Sequence, residues 1–434
     1  MTRKQLILIL LSFTLCNGAM SQEKLSLTIQ EAKSYALSYN KTFKNSGLSI
    51  VQSQEKLRET RAAGLPQVNA NADYSNAMGA EISIQFNEDM PPSKIPIKPS
   101  SNFNLQVGQL LFNGNYLVGV QIAKLGEKLS EKNLIKTGQD VTSQVVEGYY
   151  LVLVSGESLK ILKTNMANLQ EIYRKTEPMF KVGMIEKVEL DQLAIQVNAL
   201  DNAVKSAERQ YEMAQNLLRV QLGVSANTEI ELTQTLADLI NDNEFSGIET
   251  GFEPEQNINF QLLEVQEEIT EKQIEMQKAN YLPTLTGYYN FTKKILKPAF
   301  DMSPAHMVGL QMSIPVFSSG ERRSKVRQAK IDLETTKNNK ALIEEQLDIQ
   351  YRQLMFNLNS AIESYQTQQN NINVSREVYQ NLKRKFEQGM ISSMELTTAD
   401  SNYLQTESDY LMAIMQVLQA QNAINTLTGK ILNN

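Results

Sequence analysis

The sequence of 434 residues predicts a mixed fold, in which long antiparallel coiled-coil helices are joined to a transmembrane β-barrel. Three observations support this fold class. A helical seam recurs about 206 residues further along the chain, runs of about nine residues alternate apolar and polar side chains, and the N-terminus has the pattern of an export signal. Together they predict an exported protein built from two copies of one helix-and-hairpin unit.

Residues 1–21 predict a secretory signal peptide. Two basic residues precede the apolar run Leu6–Leu15, and the small side chains of Ala19 and Ser21 favour cleavage before Gln22. Cys16 leaves an alternative open, because a cysteine directly after the apolar run can accept a lipid anchor. Beyond this run no apolar stretch approaches the roughly 18 residues that a membrane helix needs, so any membrane crossing has to be made by strands.

Composition argues against nucleic-acid binding and against enzymatic chemistry. Removal of the signal peptide changes the formal net charge from −6 to −8, which disfavours contact with a phosphate backbone. The chain has one histidine, and its one cysteine lies in the signal peptide. It has no glycine-rich phosphate loop and no metal-ligand cluster, so we predict no catalytic residue, no cofactor and no metal site.

The repeated helical seam alternates spacings of four and three residues. Its first copy consists of Leu193, Val197, Leu200, Val204, Ala207, Tyr211, Ala214 and Leu218. Its second copy, in the same register, consists of Ala399, Tyr403, Thr406, Tyr410, Ala413, Val417, Ala420 and Ile424. The lead-in to each seam also recurs, as Phe180–Gly183 and Phe386–Gly389, and Gly223 corresponds to Gly429. This spacing predicts coiled-coil packing.

The chain is predicted to divide into three parts after the signal peptide. Residues 22–225 form the first structural repeat and residues 256–434 the second. Between them, residues 226–255 are acidic and rich in turn residues, which predicts an extra layer beside the helices with a short strand at Ile230 to Leu232. The charges of this segment are interpreted as a solvated face.

Each repeat contains one predicted strand hairpin, at about residues 66–112 and 283–317. Pro66 and Pro283 each follow a leucine, and a proline suits the first position of a strand because it has no backbone N–H to donate. The strands have one apolar and one polar face and the length of transmembrane barrel strands. The same alternation occurs in hairpins packed on a soluble core. The export signal and the flanking helices favour the barrel.

Two uninterrupted helices are predicted, from Tyr116 to Thr176 and from Arg322 to Gln388. A helix of sixty residues extends over roughly 90 Å at ~1.5 Å per residue, far more than a compact domain needs. Their apolar positions follow the heptad-like spacing of a coiled coil.

The turns near Gly183 and Gly389 are predicted to be the tips of helical hairpins. Gly389 suits the left-handed position that ends a helix, and Ser392 with Glu395 three residues later predicts a capping box for the next helix. In the first copy, Glu186 stands where the serine would be, and Glu189 corresponds to Glu395.

The pattern resembles the TolC-like outer-membrane efflux protein family over essentially the whole mature chain. The residues that carry the resemblance are Leu27–Ala32 with Asn40, the paired Leu65–Pro66 and Leu282–Pro283, the strand ends Phe112–Gly114 and Phe317–Gly320, and the two Phe-x-x-Gly tips. Their order, duplicated at matching distances, is more specific than any one motif.

Membership would imply a homotrimer, in which a 12-stranded barrel in the outer membrane continues as an α-helical tunnel across the periplasm. Physical reasoning agrees in part, because four strands cannot close a barrel and open strand edges in lipid leave backbone groups unpaired. Two copies would give eight strands and a filled interior, whereas three would give twelve and room for a channel. The chain would be an exit duct of a tripartite efflux pump or of a type I secretion system.

The resemblance also implies roles for the tips. They would form the closed gate and the docking surface for a periplasmic adaptor protein, which connects to an inner-membrane pump. Acidic rings often narrow such tips and favour cations; Glu395 matches one ring position and Thr398, which is not acidic, the other. Glu186 and Glu189 could add charge. A capping role alone also explains Glu395.

A function from another class is a periplasmic coiled-coil scaffold, whose hairpins would bind a partner protein instead of lipid. A channel would fractionate with the outer membrane, require detergent and migrate as a trimer. A scaffold would be a soluble monomer in periplasmic extract.

Overall fold

The computed structural model describes residues 24–85, 91–242, 251–297 and 302–432. The predicted signal peptide and Cys16 lie outside these residues. In chain order the helices are α1 (Ile29–Tyr39), α2 (Lys41–Ala62), α3 (Gly114–Lys181), α4 (Lys187–Leu222), α5 (Leu236–Asp242), α6 (Ile258–Ala279), α7 (Glu321–Glu387) and α8 (Ser393–Leu427). The strands are β1 (Lys24–Leu27), β2 (Gln67–Ser75), β3 (Glu81–Ile84), β4 (Ser93–Pro96), β5 (Ser100–Phe112), β6 (Glu229–Leu232), β7 (Thr284–Lys294) and β8 (His306–Ser313).

Helices α3 and α7 confirm the two predicted long helices. They contain 68 and 67 residues, and α3 continues through Pro178 to Lys181. Within the described ranges, no helix is both long and apolar enough to cross a lipid bilayer.

The repeated seam is the buried side of α4 and α8. In α4 the buried seam positions are Leu193, Leu200, Ala207, Ala214 and Leu218, and in α8 they are Ala399, Ala413, Val417 and Ile424. Burial of one leucine side chain stabilises a fold by about 1.5–3 kcal/mol, so these positions hold the helical packing. All of them except Ala207 belong to two apolar clusters, a large one and a smaller one that includes Leu193, Leu396 and Tyr379.

The two predicted hairpins join in one four-stranded antiparallel sheet with the order β2-β5-β7-β8. The central contact, between β5 and β7, brings the hairpin of the first repeat beside that of the second, with Val107 opposite Tyr289. Each of the two outer strands, β2 and β8, pairs on one side only among the described strands.

The sheet has one apolar and one polar face, as the alternation predicts. On the apolar face, Val68, Val107, Tyr289 and Val308 form one continuous cross-strand row. The apolar face is exposed: Val68 is 62% exposed, Leu310 72% and Val308 80%. On the polar face, Asn69, Gln106 and Asn290 form the adjacent row.

The strands begin one residue later than predicted. Pro66 and Pro283 each immediately precede their strand, because β2 begins at Gln67 and β7 at Thr284. Proline has no N–H for the strand ladder, so regular pairing starts at the next residue. The long tip of the first hairpin also contains a small antiparallel pair, β3 with β4, which was not predicted from the sequence.

The acidic segment contributes strand β6, which includes the predicted Ile230 to Leu232, and helix α5. Strand β6 pairs in parallel with β1 at the N-terminal end of the described chain, with Leu25 opposite Ile230. Directly after β1, Thr28 begins α1 with a complete capping box: its N–H donates to Glu31 at 2.7 Å, and its Oγ1 accepts from the Glu31 N–H at 3.3 Å.

The contacts divide the chain into two compact units. One comprises the described residues of Met1–Gly47, Leu134–Ile258 and Glu344–Asn434 and contains the helical tips and the β1-β6 pair. The other comprises those of Leu48–Asn133 and Asn259–Ile343 and contains the four-stranded sheet. Each unit draws on both repeats, and the repeat boundaries stay predictions.

Candidate functional site at the helical tips

The two helical tips have the same backbone structure. Gly183 and Gly389 adopt left-handed conformations, with φ of 76° and 72°. In each tip the residue after the glycine donates its N–H to the carbonyl five residues earlier, at 2.8 Å in the first tip and 2.9 Å in the second. The glycine N–H itself bonds the carbonyl three residues earlier, at 2.9 Å in both tips. This pattern is the Schellman motif, and it ends α3 and α7 identically.

The second tip confirms the predicted serine cap but not the full capping box. Ser392 Oγ accepts a hydrogen bond of 3.2 Å from the backbone N–H of Glu395. The reciprocal bond, from the Ser392 N–H to the Glu395 carboxylate, is absent among the described residues, unlike the complete box of Thr28 and Glu31. The Glu395 carboxylate stays in solvent, so capping does not account for it.

The first tip differs at the cap and contacts the second tip through Glu189. Glu186 occupies the position before α4 with an extended backbone, but its side chain forms no capping hydrogen bond. Glu189 Oε2 instead accepts a hydrogen bond of 3.3 Å from Ser393 Oγ, next to the cap of α8. The structure therefore brings Glu189 to the second tip.

The remaining tip residues lie at the surface of the chain. Gly183, Glu186, Gly389, Ser392, Glu395 and Thr398 are all exposed. Thr398 donates a hydrogen bond of 2.9 Å to the Met394 carbonyl within its own helix. Glu395 and Thr398 are three residues apart on α8, so they share a face, which continues through the exposed polar Asn402 and Gln405.

A buried carboxylate lies close to the tips and was not predicted from the sequence. Asp400 of α8 is 3% exposed, directly after Ala399 of the smaller apolar cluster. Tyr379 of α7 and Asn165 of α3 lie beside its carboxylate. Neither Asp400 Oδ1 nor the Tyr379 hydroxyl has a hydrogen-bond partner of good geometry among the described residues. The signal in the sequence for the burial of Asp400 was its position four residues after Leu396, on the same face of the helix.

The surroundings of Asp400 favour its neutral form. Burial raises the pKa of Asp400 to about 6, while the neighbouring Asn165 and Tyr379 oppose this increase. Glu407 raises the pKa a little further, and Lys383 lowers it. Tyr379 stacks on Tyr403 with ring centroids 5.6 Å apart, so the carboxylate faces aromatic rings on one side.

No set of three or more histidine, cysteine, aspartate or glutamate side chains could hold a metal ion in the part of the chain that the structure describes. The geometry of the tips is that of a helix junction with exposed acidic side chains.

The exposed apolar face of the four-stranded sheet has the apolar-polar alternation that is typical of strands in contact with lipid. A family model described as "Outer membrane efflux protein" matches residues 32–224 and 255–430. The chain therefore belongs to the outer membrane efflux protein family and is located in the cell outer membrane.

Individual relatives agree with this assignment. The outer membrane protein TolC of Salmonella enteritidis is 23% identical over 403 residues, which cover 86% of this chain and 73% of the relative. Among solved structures, CusC has a TM-score of 0.75 at 16% identity and covers 96% of this chain and 95% of its own. The CmeC outer membrane channel of Campylobacter jejuni has a TM-score of 0.72 at 17% identity, with coverages of 95% and 90%. These two solved structures share the fold with this chain.

Proposed function

We propose that the protein is the exit duct of a tripartite efflux pump or of a type I secretion system, a passive conduit through the outer membrane. The observation that carries this proposal is the four-stranded sheet with an exposed apolar face. Exposed valine, leucine and methionine side chains in one face of a sheet are stable in contact with lipid and costly in contact with water.

The sheet also supports assembly from several copies. Strands β2 and β8 each have one unpaired side in a single chain. Unpaired backbone groups in a bilayer cost several kcal/mol each, so β2 of one copy would pair with β8 of the next. Three copies close a barrel of twelve strands, which has room for a channel. CmeC, whose solved structure shares the fold of this chain, is an outer membrane channel, which supports the proposal of a channel.

In this assembly the helices would continue the channel into the periplasm. The exposed polar face of α8, from Glu395 through Thr398, Asn402 and Gln405, would line the tunnel near its end. Glu186 and Glu189 would contribute further negative charge, and the mouth would favour cations. The tips at Gly183 and Gly389 would be the gate and the docking surface for a periplasmic adaptor, which connects to an inner-membrane pump.

Engineered disulfides test the assembly directly, because no cysteine lies beyond the signal peptide. Strands β2 and β8 are opposite edges of one sheet, so a disulfide between them links neighbouring copies. Asn71→Cys in β2 is combined in turn with Met307→Cys, Gln311→Cys and Ser313→Cys in β8, and the oxidised protein is examined on a non-reducing gel. We expect one combination to give a covalent trimer.

The control places the two cysteines within one chain. Asn104 and Thr292 are cross-strand partners on β5 and β7, so Asn104→Cys with Thr292→Cys should give an internal disulfide and a band of one chain. Conductance of the purified protein in planar bilayers completes the test. Monomeric bands for every edge pair, together with no conductance, would support the scaffold function and contradict the channel.

A further inference from the structure

The apolar face of the sheet carries a lysine at the end where β7 stops and β8 begins. Lys293 of β7 is opposite Phe103 of β5, in the row directly beyond Phe291 and Leu105. A second lysine, Lys297, follows three residues after the end of β7. Both lysines are exposed. Both line an open cavity of about 520 Å³, which Pro304 also lines.

These two lysines have no anionic partner among the described residues. Most other exposed lysines of the sheet unit have one: Lys94 pairs with Glu81 at 3.7 Å, and Lys128 with Glu268 at 2.8 Å. No ion pair joins Lys293 or Lys297 to a described carboxylate. Two neighbouring cations without counter-charges attract an external anion.

The position along the sheet indicates which anion this is. The apolar face of β5 extends from Phe103 to Phe112, about 30 Å at ~3.3 Å per residue. A strand tilted by about 40° spans about 23 Å of membrane over this length, close to the ~25 Å apolar band of outer-membrane barrels. Lys293, opposite Phe103, therefore lies where this band ends.

Aromatic side chains mark the same boundary. Phe291 lies on the apolar face in the row directly below Lys293, and the ring of His306, the first residue of β8, is 5.0 Å from the ring of Phe291. The Tyr289 hydroxyl is 2.8 Å from His306 Nδ1. Aromatic residues are enriched at the level of lipid headgroups, so a lysine directly beyond them faces the headgroup layer.

We propose that Lys293 and Lys297 bind the phosphate groups of the glycolipid in the outer leaflet of the outer membrane. The inference rests on the proposed function, since it requires the hairpin ends to face outward and the apolar face to contact lipid. The phosphates would supply the missing counter-charges, and the acyl chains would cover the apolar face below the lysines. Each lysine near an anionic lipid surface strengthens binding about fivefold.

Native mass spectrometry of the purified full-length protein in detergent tests the proposal. The probes are diphosphoryl lipid A, monophosphoryl lipid A and inorganic phosphate. We expect the wild type to retain diphosphoryl lipid A, and Lys293→Gln with Lys297→Gln to weaken its binding by more than tenfold. Lys293→Arg with Lys297→Arg should restore binding, because the charge is restored.

Control variants separate a specific site from a general charge effect. Lys124→Gln with Lys330→Gln removes two exposed lysines from α3 and α7 and changes the net charge equally. This control should bind lipid A as the wild type does. Equal binding by wild type and the Lys293→Gln/Lys297→Gln variant would overturn the proposal, as would displacement of lipid A by equimolar inorganic phosphate, which would indicate a free-anion site. If the protein fails to form trimers at all, the proposed function fails first, so the two failures are distinguishable.

Discussion

Asn40 donates a hydrogen bond of 2.7 Å from Nδ2 to the backbone carbonyl of Gln221, in the last turn of α4. Its Oδ1 accepts from two backbone N–H groups at the start of α2, at 2.8 and 3.1 Å. The buried side chain of Asn40 thus provides hydrogen-bond partners for backbone N–H groups at the start of α2 and for a backbone carbonyl at the end of α4. Asn257 repeats the arrangement at the end of α8, with a bond of 2.8 Å to the Leu427 carbonyl.

Asn40→Ala should therefore destabilise the protein by about 1–3 kcal/mol, because it removes a cap and leaves buried backbone groups without partners. Calorimetric unfolding of the purified protein measures this as a lower Tm. Asn402→Ala is the matched control, since Asn402 is exposed in the middle of α8, and it should change the Tm little. An equal loss in both variants would contradict the assigned role.

Gly389→Ala should cost about 1–2 kcal/mol, because an L side chain is strained at a φ of 72°. A Cβ at this position would meet no atom within 4 Å, so the loss reports backbone conformation alone. Gly126, inside α3, has the same open surroundings without a positive φ, and Gly126→Ala should stabilise the helix by about 0.5–1 kcal/mol. Opposite shifts of the unfolding midpoint are expected, and shifts of the same sign would exclude this explanation.

Asp400→Asn should change how stability depends on pH. The pKa of Asp400 is raised to about 6 in the folded protein, above the ordinary value of 3.8, so the folded state binds the proton more tightly than the unfolded state. Stability from this group is present below pH 4 and is lost as the pH rises through 6. The wild type should lose about 2 kcal/mol over this range, and Asp400→Asn should not.

Unfolding midpoints at pH 4.5, 5.5, 6.5 and 7.5 measure the difference. The asparagine variant should be more stable than the wild type at pH 7.5, with a smaller gap at pH 4.5. Asp409→Asn, on the same helix but hydrogen-bonded to Gln405 at the surface, serves as the control. A wild-type pH slope in Asp400→Asn would assign the dependence to other groups.

Glu395→Gln should reduce the cation preference of single channels in planar bilayers and leave the Tm nearly unchanged. Its carboxylate makes no capping bond, and only its interaction with the helix dipole is lost, about 0.5 kcal/mol. Ser392→Ala should do the reverse, with a loss of about 1 kcal/mol in stability and normal selectivity. A Tm loss in Glu395→Gln without any change in selectivity would favour a structural role.

Val308→Lys should lower the amount of trimer in the outer-membrane fraction. A lysine on the lipid face of a barrel costs about 2–4 kcal/mol near the bilayer midplane. Asn69→Lys places the same charge on the polar face of the same sheet and should assemble normally. Both positions are exposed in a single chain, so equal behaviour of the two variants would argue against lipid contact.

The sequence was informative wherever local pattern decides structure. Spacing predicted the long helices, the seam and the two-faced strands, because each depends on side chains a few residues apart. The cap at Ser392 was also predictable, because the Ser392 hydroxyl and the Glu395 N–H that donates to it lie only three residues apart in the sequence.

Long-range and geometric features were not predictable in this way. The pairing of β1 with β6 joins residues about 205 positions apart and has no local signature. The incomplete capping box depends on the rotamer of Glu395, which solvent exposure leaves unconstrained. The burial of Asp400 depends on Tyr379 and Asn165, which other helices bring to it.

The open edges of the sheet also constrain the order of biogenesis. A lone copy that entered the bilayer would expose the unpaired side of both β2 and β8 to hydrocarbon, and in water the same edges and the apolar face would favour aggregation. If β2 of one copy pairs with β8 of the next as proposed, strand pairing between newly exported chains has to precede membrane insertion or accompany it. If three copies assemble as proposed, the amount of complete trimer at low expression would fall roughly as the cube of the chain concentration, so the expression level itself would set how many complete channels form.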